Sequence, residues 1–242
     1  MIIDRVTITG ADDSTDVERL VELAEEFPFV EWGILFSSAR SGAPRFPRPR
    51  WILRLLAADG LDQRQLSAHL CGRYVRDICE RATNSWAAEY GAAAARFARA
   101  QLNFHGEPHA FTVAAEPLLV NARQQFIVQF DGTNDAALAP LVRSRFCVPL
   151  FDRSGGAGVT PDRWPEPFQG FTYCGYAGGL GPDNVVDEVI KIAALAPDDR
   201  IAWIDMERNV RTTDDRALDL GKVQDVLERM RPIVRAATYD GA

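Results

Sequence analysis

Eight short runs rich in β-branched and aromatic residues recur along the chain, at residues 4–9, 30–36, 66–71, 100–105, 126–130, 146–151, 171–177 and 201–206. Between them lie longer stretches with apolar residues at helical spacing. Strands that alternate with amphipathic helices make βαβ units and a parallel sheet. Eight such units in 242 residues match one closed (β/α)8 (TIM) barrel, which typically needs roughly 250 residues. The chain is therefore expected to be a single α/β domain over residues 1–242. An open doubly wound sheet would carry its phosphate loop after the first strand. That turn reads Gly10-Ala11-Asp12-Asp13, with no GxGxxG.

The helical stretches can be placed from periodicity and end signals. Asp16 to Phe27 is expected to be a helix capped by Ser14 or Thr15, and Trp51, Leu55 and Leu56 mark the apolar side of the next. Tyr74 to Ala98 should hold one or two helices. Weaker helical patterns lie at Val113 to Ala122 and at Asp135 to Val142. Pro182 to Leu195 is expected to open with Pro182 near N1, and Leu218 to Val234 closes the chain.

Several function classes are disfavoured. A formal net charge of −7 with scattered arginines does not suit a nucleic-acid surface, which needs clustered cations. Arg45, Arg48, Arg50 and Arg54 cluster locally among prolines, which reads equally as a solvated loop or an anion-facing one. Cys71, Cys79, Cys147 and Cys174 form no CxxC pair and read as reduced thiols of a cytoplasmic protein. The first ten residues read as a strand and not a signal peptide, and no apolar run approaches the ~18 residues of a membrane span.

In such barrels the site lies at the C-terminal strand ends, with phosphate commonly held by the loops after strands seven and eight. Strand seven runs into Ala177-Gly178-Gly179-Leu180-Gly181-Pro182-Asp183-Asn184-Val185. Glycines let a backbone approach an anion, and a helix N-terminus attracts one. Strand six ends at Asp152 ahead of Gly155, Gly156 and Gly158, placing a carboxyl group for acid–base work. Period-two alternation puts Ser67, His69 and Cys71 on one face, as it does Asn103 with His105, Gln129 with Asp131, and Trp203 with Asp205. So many polar residues at strand ends imply a wet pocket. His69 reads equally as a hydrogen-bonded core residue.

The order of these motifs resembles that of phosphoribosylanthranilate isomerase, an enzyme family of tryptophan biosynthesis. The likeness spans nearly the whole chain and is strongest at residues 177–185, which match the family's Ala-Gly-Gly-Leu-x-Pro-x-Asn-Val throughout. Weaker matches are Ala43-Pro44-Arg45 to a Ser-Pro-Arg loop, and Asn103-Phe104-His105-Gly106 to Gln-Leu-His-Gly. Leu150-Phe151-Asp152, Gly155-Gly156-Ala157-Gly158 and Trp164 follow its sixth-strand pattern. The resemblance implies an Amadori rearrangement by general acid–base catalysis, with Asp152 as acid. It implies a small phosphorylated substrate held by Arg45, Gly156, Gly158, Gly178, Gly179, Asn184 and Asp205, no cofactor, and a monomer or homodimer. The chain departs from the family at two places: Thr9 stands where the family's basic cysteine belongs, and Glu207 stands in the eighth loop in place of paired serines. Cys71 is a candidate substitute base, and His105 is a further candidate catalytic residue. Two other readings remain: a metal-dependent sugar-phosphate epimerase or lyase using His69, His105, Asp152 and Asp205, and a phosphate-binding barrel that no longer catalyses.

Overall fold

The computed structural model describes residues 1–81, 83–103, 119–120, 124–131, 146–153, 157–197 and 199–235. Eight parallel strands close in sequence order into a barrel, β1 (Ile2–Thr9), β2 (Val30–Phe36), β3 (Leu66–Cys71), β4 (Arg99–Asn103), β5 (Gln125–Phe130), β6 (Cys147–Asp152), β7 (Tyr173–Ala177) and β8 (Ile201–Met206). The last strand pairs with the first, Ile2 against Ile201 through Ile8 against Met206, so no sheet edge is left open. The expected (β/α)8 barrel is therefore the fold. Strand bounds differ from the sequence reading by one to two residues at several ends. The expected helices at 113–122 and 135–142 fall almost wholly outside the described residues, as do His105 and Gly156.

Helices α1 (Val17–Glu26), α2 (Pro49–Ala57), α3 (Arg73–Arg81), α4 (Ser85–Tyr90), α5 (Val185–Ala193) and α6 (Leu220–Met230) pack on the outside. The stretch expected at 74–98 is thus two short helices and a 3-10 segment at Gly91–Arg96. The cap of α1 is Asp16, which accepts from Glu18 N at 3.0 Å. Ser14 and Thr15 are drawn away from that role by Asp12: Ser14 Oγ donates to Asp12 Oδ1 at 2.6 Å, and Thr15 Oγ1 accepts from Asp12 N at 3.1 Å. Helix α5 starts at Val185 with Asn184 as its cap, so Pro182 sits in the preceding turn and not at N1.

Outward strand residues such as Val6, Ile34, Leu70, Val128 and Ile204 join the helices in one buried apolar cluster. Edge-to-face rings pin α4 to the barrel, with Phe36 centred 5.4 Å from Trp86 and 4.9 Å from Tyr90. A second aromatic group, Phe151, Trp164 and Tyr176, anchors the connection from β6 to β7. Trp164 Nε1 adds a 2.7 Å hydrogen bond to Glu188 on α5.

The barrel interior divides by chemistry. Below the C-terminal strand ends it is apolar on β5 to β8, built from Ile127, Val148, Leu150, Tyr173 and Trp203. On β1 to β4 the inward positions are polar. Near the N-terminal end Glu31, fully buried, accepts from Arg99 Nε at 2.9 Å, Arg5 Nη1 at 3.0 Å and Thr7 Oγ1 at 2.8 Å. Burial alone would raise the Glu31 pKa, but the Arg99 and Arg5 charges outweigh it and hold the carboxyl down at about 2. The Arg99 guanidinium also lies 4.3 Å from the Trp203 ring centre, which offsets part of the cost of burying it. The charged plug closes the floor, and the polar strand ends above it face the site.

Candidate active site at the C-terminal strand ends

A cavity of about 350 Å³ opens at the C-terminal ends of the strands. Asp152 and Asp205 both line it. In the sheet register each pairs with Ala177 of β7, one from either side. The two carboxyl-bearing residues therefore stand level, with their Cα atoms about 10 Å apart across two strand spacings. Only the alanine methyl intervenes between them on the sheet. Gln129 Nε2 donates to Asp152 Oδ2 at 2.6 Å. Thr9 Oγ1 donates to Asp205 Oδ1 at 3.1 Å. Burial raises the Asp205 pKa well above the usual carboxylate range; the Thr9 bond opposes this, and the charges of Glu207, Asp152 and Glu31 add to it. The environment thus favours the protonated acid at Asp205.

The expected anion loop is more closed than its sequence implies. Gly178 and Gly179 have φ of +132° and +63°, conformations that favour glycine. A Cβ on Gly179 would lie 2.2 Å from Thr160 N, so the backbone that approaches this glycine belongs to the chain itself. Asn184 clamps the same turn: its Nδ2 donates to Gly179 O at 3.0 Å and its Oδ1 accepts from Gly181 N at 2.9 Å. Asn209 Nδ2 donates to Gly179 O at 2.8 Å. The side chain of Asn184 is committed to the loop and does not line the cavity, whereas Gly158, Gly178 and Gly179 do. Arg208 runs across Gly158, where a Cβ would meet its Cδ at 2.8 Å. Its guanidinium has no ion-pair partner among the described residues.

Of the four clustered arginines only Arg45 lines the cavity. Arg48 pairs with Asp13 and Arg54 with Glu18, both at exposed positions. Arg45 itself is engaged by Glu207 and Asp215, and its backbone N–H donates to Asp12 Oδ2 at 3.1 Å. It holds a φ of +74°, a conformation rare for a residue with a side chain. Buried Arg211 completes the clasp, donating to Gly10 O, to Asp215 Oδ1 at 2.8 Å and to Asp215 O at 3.0 Å. The charge of Glu207 is thereby answered by Arg45, and burial pushes its pKa up. The loops after β1, β2 and β8 are tied into one rigid rim.

The opposite wall is uncharged. His69 and Gln101 pair in register on β3 and β4, and Cys71 and Asn103 pair one step above. Gln101 Nε2 donates to Asn103 Oδ1 at 2.8 Å, and Asn103 Nδ2 to Cys71 Sγ at 3.5 Å. Burial pulls the His69 pKa down to about 3 and pushes the Cys71 thiol up to about 11. A thiol so held opposes the base role suggested for Cys71. Gly33 makes the room for this wall: a Cβ there would lie 2.2 Å from Thr9 Oγ1 and 2.8 Å from His69 Nε2.

The barrel thus brings Thr9, Arg45, Cys71, Asp152, Gly158, Gly178, Gly179 and Asp205 around one cavity, and leaves Asn184 behind it. Gln101, Arg40, Phe46 and Arg208 also line it and were missed in the sequence. Gln101 was legible, because period-two alternation sets it on the face of Asn103; the loop residues carried no comparable signal. Among the described residues no group of three His, Cys, Asp or Glu side chains is placed to hold a metal ion, and no helix is long and apolar enough to cross a membrane. No protein-family model matches the chain, and no curated protein matches it.

Proposed function

We propose that the chain is a general acid–base isomerase of a phosphorylated sugar derivative, of the phosphoribosylanthranilate isomerase type. The observation that carries this reading is the pair Asp152 and Asp205, level across Ala177 and facing one cavity, with Asp205 in surroundings that keep its proton. Two neighbouring carboxyl groups held in different surroundings are suited to paired acid and base roles. Protonated Asp205 gives its proton to the ring oxygen of an aminated sugar as the ring C–O bond breaks and the amine nitrogen becomes an iminium. Asp152, to which the family resemblance assigns the acid role, acts here as the base: it takes the proton from the adjacent carbon, and the C–H electron pair forms the enolamine that tautomerises to the ketose. Thr9 is a positioning residue in this scheme, donating to one Asp205 oxygen and leaving the other for the transferred proton. The phosphate lies among the loops after β6, β7 and β8, where Arg208 supplies positive charge.

Thr9 in place of a basic cysteine favours a second reading, a barrel that binds the phosphorylated ligand without turnover. One preparation separates the two. Calorimetry with a reduced ribulose-phosphate anthranilate analogue tests binding, and the isomerase assay tests turnover. Turnover that is lost in both Asp152→Asn and Asp205→Asn supports the enzyme. Binding without turnover supports the binding protein, and absence of binding removes this substrate.

A further inference from the structure

Where it lines the cavity, the β3–β4 wall presents two buried polar atoms that find no hydrogen-bond partner among the described residues. His69 is 1% and Gln101 5% exposed. His69 Nε2 and Gln101 Oε1 have no hydrogen-bond partner among the described residues, and both side chains line the cavity. They are register neighbours, about one strand spacing of 4.8 Å apart. Buried polar atoms are nearly always paired, so an adjacent unpaired couple in a cavity wall is a place where a ligand supplies the partner.

We infer that His69 and Gln101 form a subsite for an uncharged, hydroxyl-bearing part of the substrate, the hydroxyl groups of the phosphorylated sugar. The inference rests on the acid–base reading above and narrows its substrate. Gln101 spends its amide hydrogens on Asn103, so its free atom is an acceptor and requires a proton donor. A hydroxyl donates to it and still bonds His69 Nε2; a carboxylate oxygen has no proton to give. The strand residues of this wall, Ser67, His69, Cys71, Gln101 and Asn103, carry no cation; Arg99 below them is neutralised by Glu31, and Arg40, the arginine whose charge reaches Cys71 at the rim, stands over the Phe46 ring. The same burial that keeps His69 neutral opposes a bound ammonium as well. Arg45, which the family resemblance assigns to substrate, is occupied by Glu207 and Asp215. In the closed strand order β3 and β4 stand across the barrel from β7 and β8. A sugar phosphate with its anion at the β7–β8 loops therefore turns its hydroxyl end to His69 and Gln101, passing Asp152 and Asp205.

Calorimetry with ribitol 5-phosphate and with inorganic phosphate, on wild type and Gln101→Met, tests this. Ribitol 5-phosphate is expected to bind wild type at least tenfold tighter than inorganic phosphate. Gln101→Met should weaken ribitol 5-phosphate about fivefold or more, the size of one lost hydrogen bond, and leave inorganic phosphate unchanged. Equal loss for both probes, no loss for either, or no binding of ribitol 5-phosphate overturns the subsite. Should the variant fail to fold, nitrogen-15 NMR of the wild type gives the same decision, since the chain has only three histidines. The His69 Nε2 resonance should move with ribitol 5-phosphate and stay with inorganic phosphate, and the reverse overturns the proposal. Gln101-dependent binding with no isomerase turnover would leave the subsite standing and sink the acid–base reading; turnover with Gln101-independent binding would do the opposite.

Discussion

Replacing Glu31 by Gln should cost this barrel more than any other single change at its N-terminal end. Glu31 is the one acceptor shared by Arg99, Arg5 and Thr7, and it is fully buried. A carboxyl held at about 2 in place of 4.5 corresponds to about 3 kcal/mol in favour of the charged form at neutral pH, at about 1.4 kcal/mol per pKa step. Removing one partner of a buried ion pair costs about 3–5 kcal/mol by a separate route, because the other charge is stranded. The two figures agree, so Glu31→Gln should lower stability by about 3–5 kcal/mol and Tm by roughly 6–20 °C for a chain this size. Urea unfolding with an unchanged m value is the assay. The pH dependence gives a second check. The folded-state pKa is depressed, so the Glu31 contribution is complete above the unfolded pKa near 4.5 and is lost as pH falls through about 2. The gap between wild type and variant should therefore narrow over that acid window. A variant within about 1 kcal/mol of wild type at pH 7 would refute the reasoning, showing that the cost of burying the three charges cancels their attraction.

Gly33→Ala forces a methyl to within 2.2 Å of Thr9 Oγ1 and 2.8 Å of His69 Nε2; overpacking of this kind costs about 1–3 kcal/mol, measurable as a lower Tm. Thr9→Val removes the bond that opposes the rise of the Asp205 pKa, so the limb of the pH–rate profile that reports Asp205 should move to higher pH; an unmoved profile would dissociate Asp205 from the reaction. Cys71, with its thiol pushed up to about 11, should react with iodoacetamide at pH 7.5 roughly 100-fold more slowly than an ordinary thiol, and Cys71→Ser should keep turnover. Arg211→Met breaks the clasp joining Gly10, Asp12 and Asp215, and faster proteolysis in the loops after β1 and β8 should follow.

Much of this protein was written locally. The eight apolar runs fix strand number and order because a strand's alternation and a helix's 3.6 period are properties of neighbouring residues. The same periodicity marked Asp152 and Asp205 at strand ends and put His69, Asn103 and Gln129 on inward faces. The caps were less legible: Asp16 displaced Ser14 and Thr15 because Asp12, folded back over the loop, engages both.

What only the closed barrel decided are the relations between strands. Asp152 and Asp205 lie 53 positions apart in sequence and become a pair because β6 and β8 both register on Ala177. Arg45 looks free to hold an anion until Glu207 and Asp215 arrive from the far end of the chain to occupy it. Gly178 and Gly179 read as an anion cradle until Val159 and Thr160 pack against them. The rise of the Asp205 pKa and the fall of the His69 pKa follow from burial, and burial is set by closure. Local sequence determines which residues face inward; the charge each one carries, and which partner it meets, depend on distances that exist only after β1 has paired with β8.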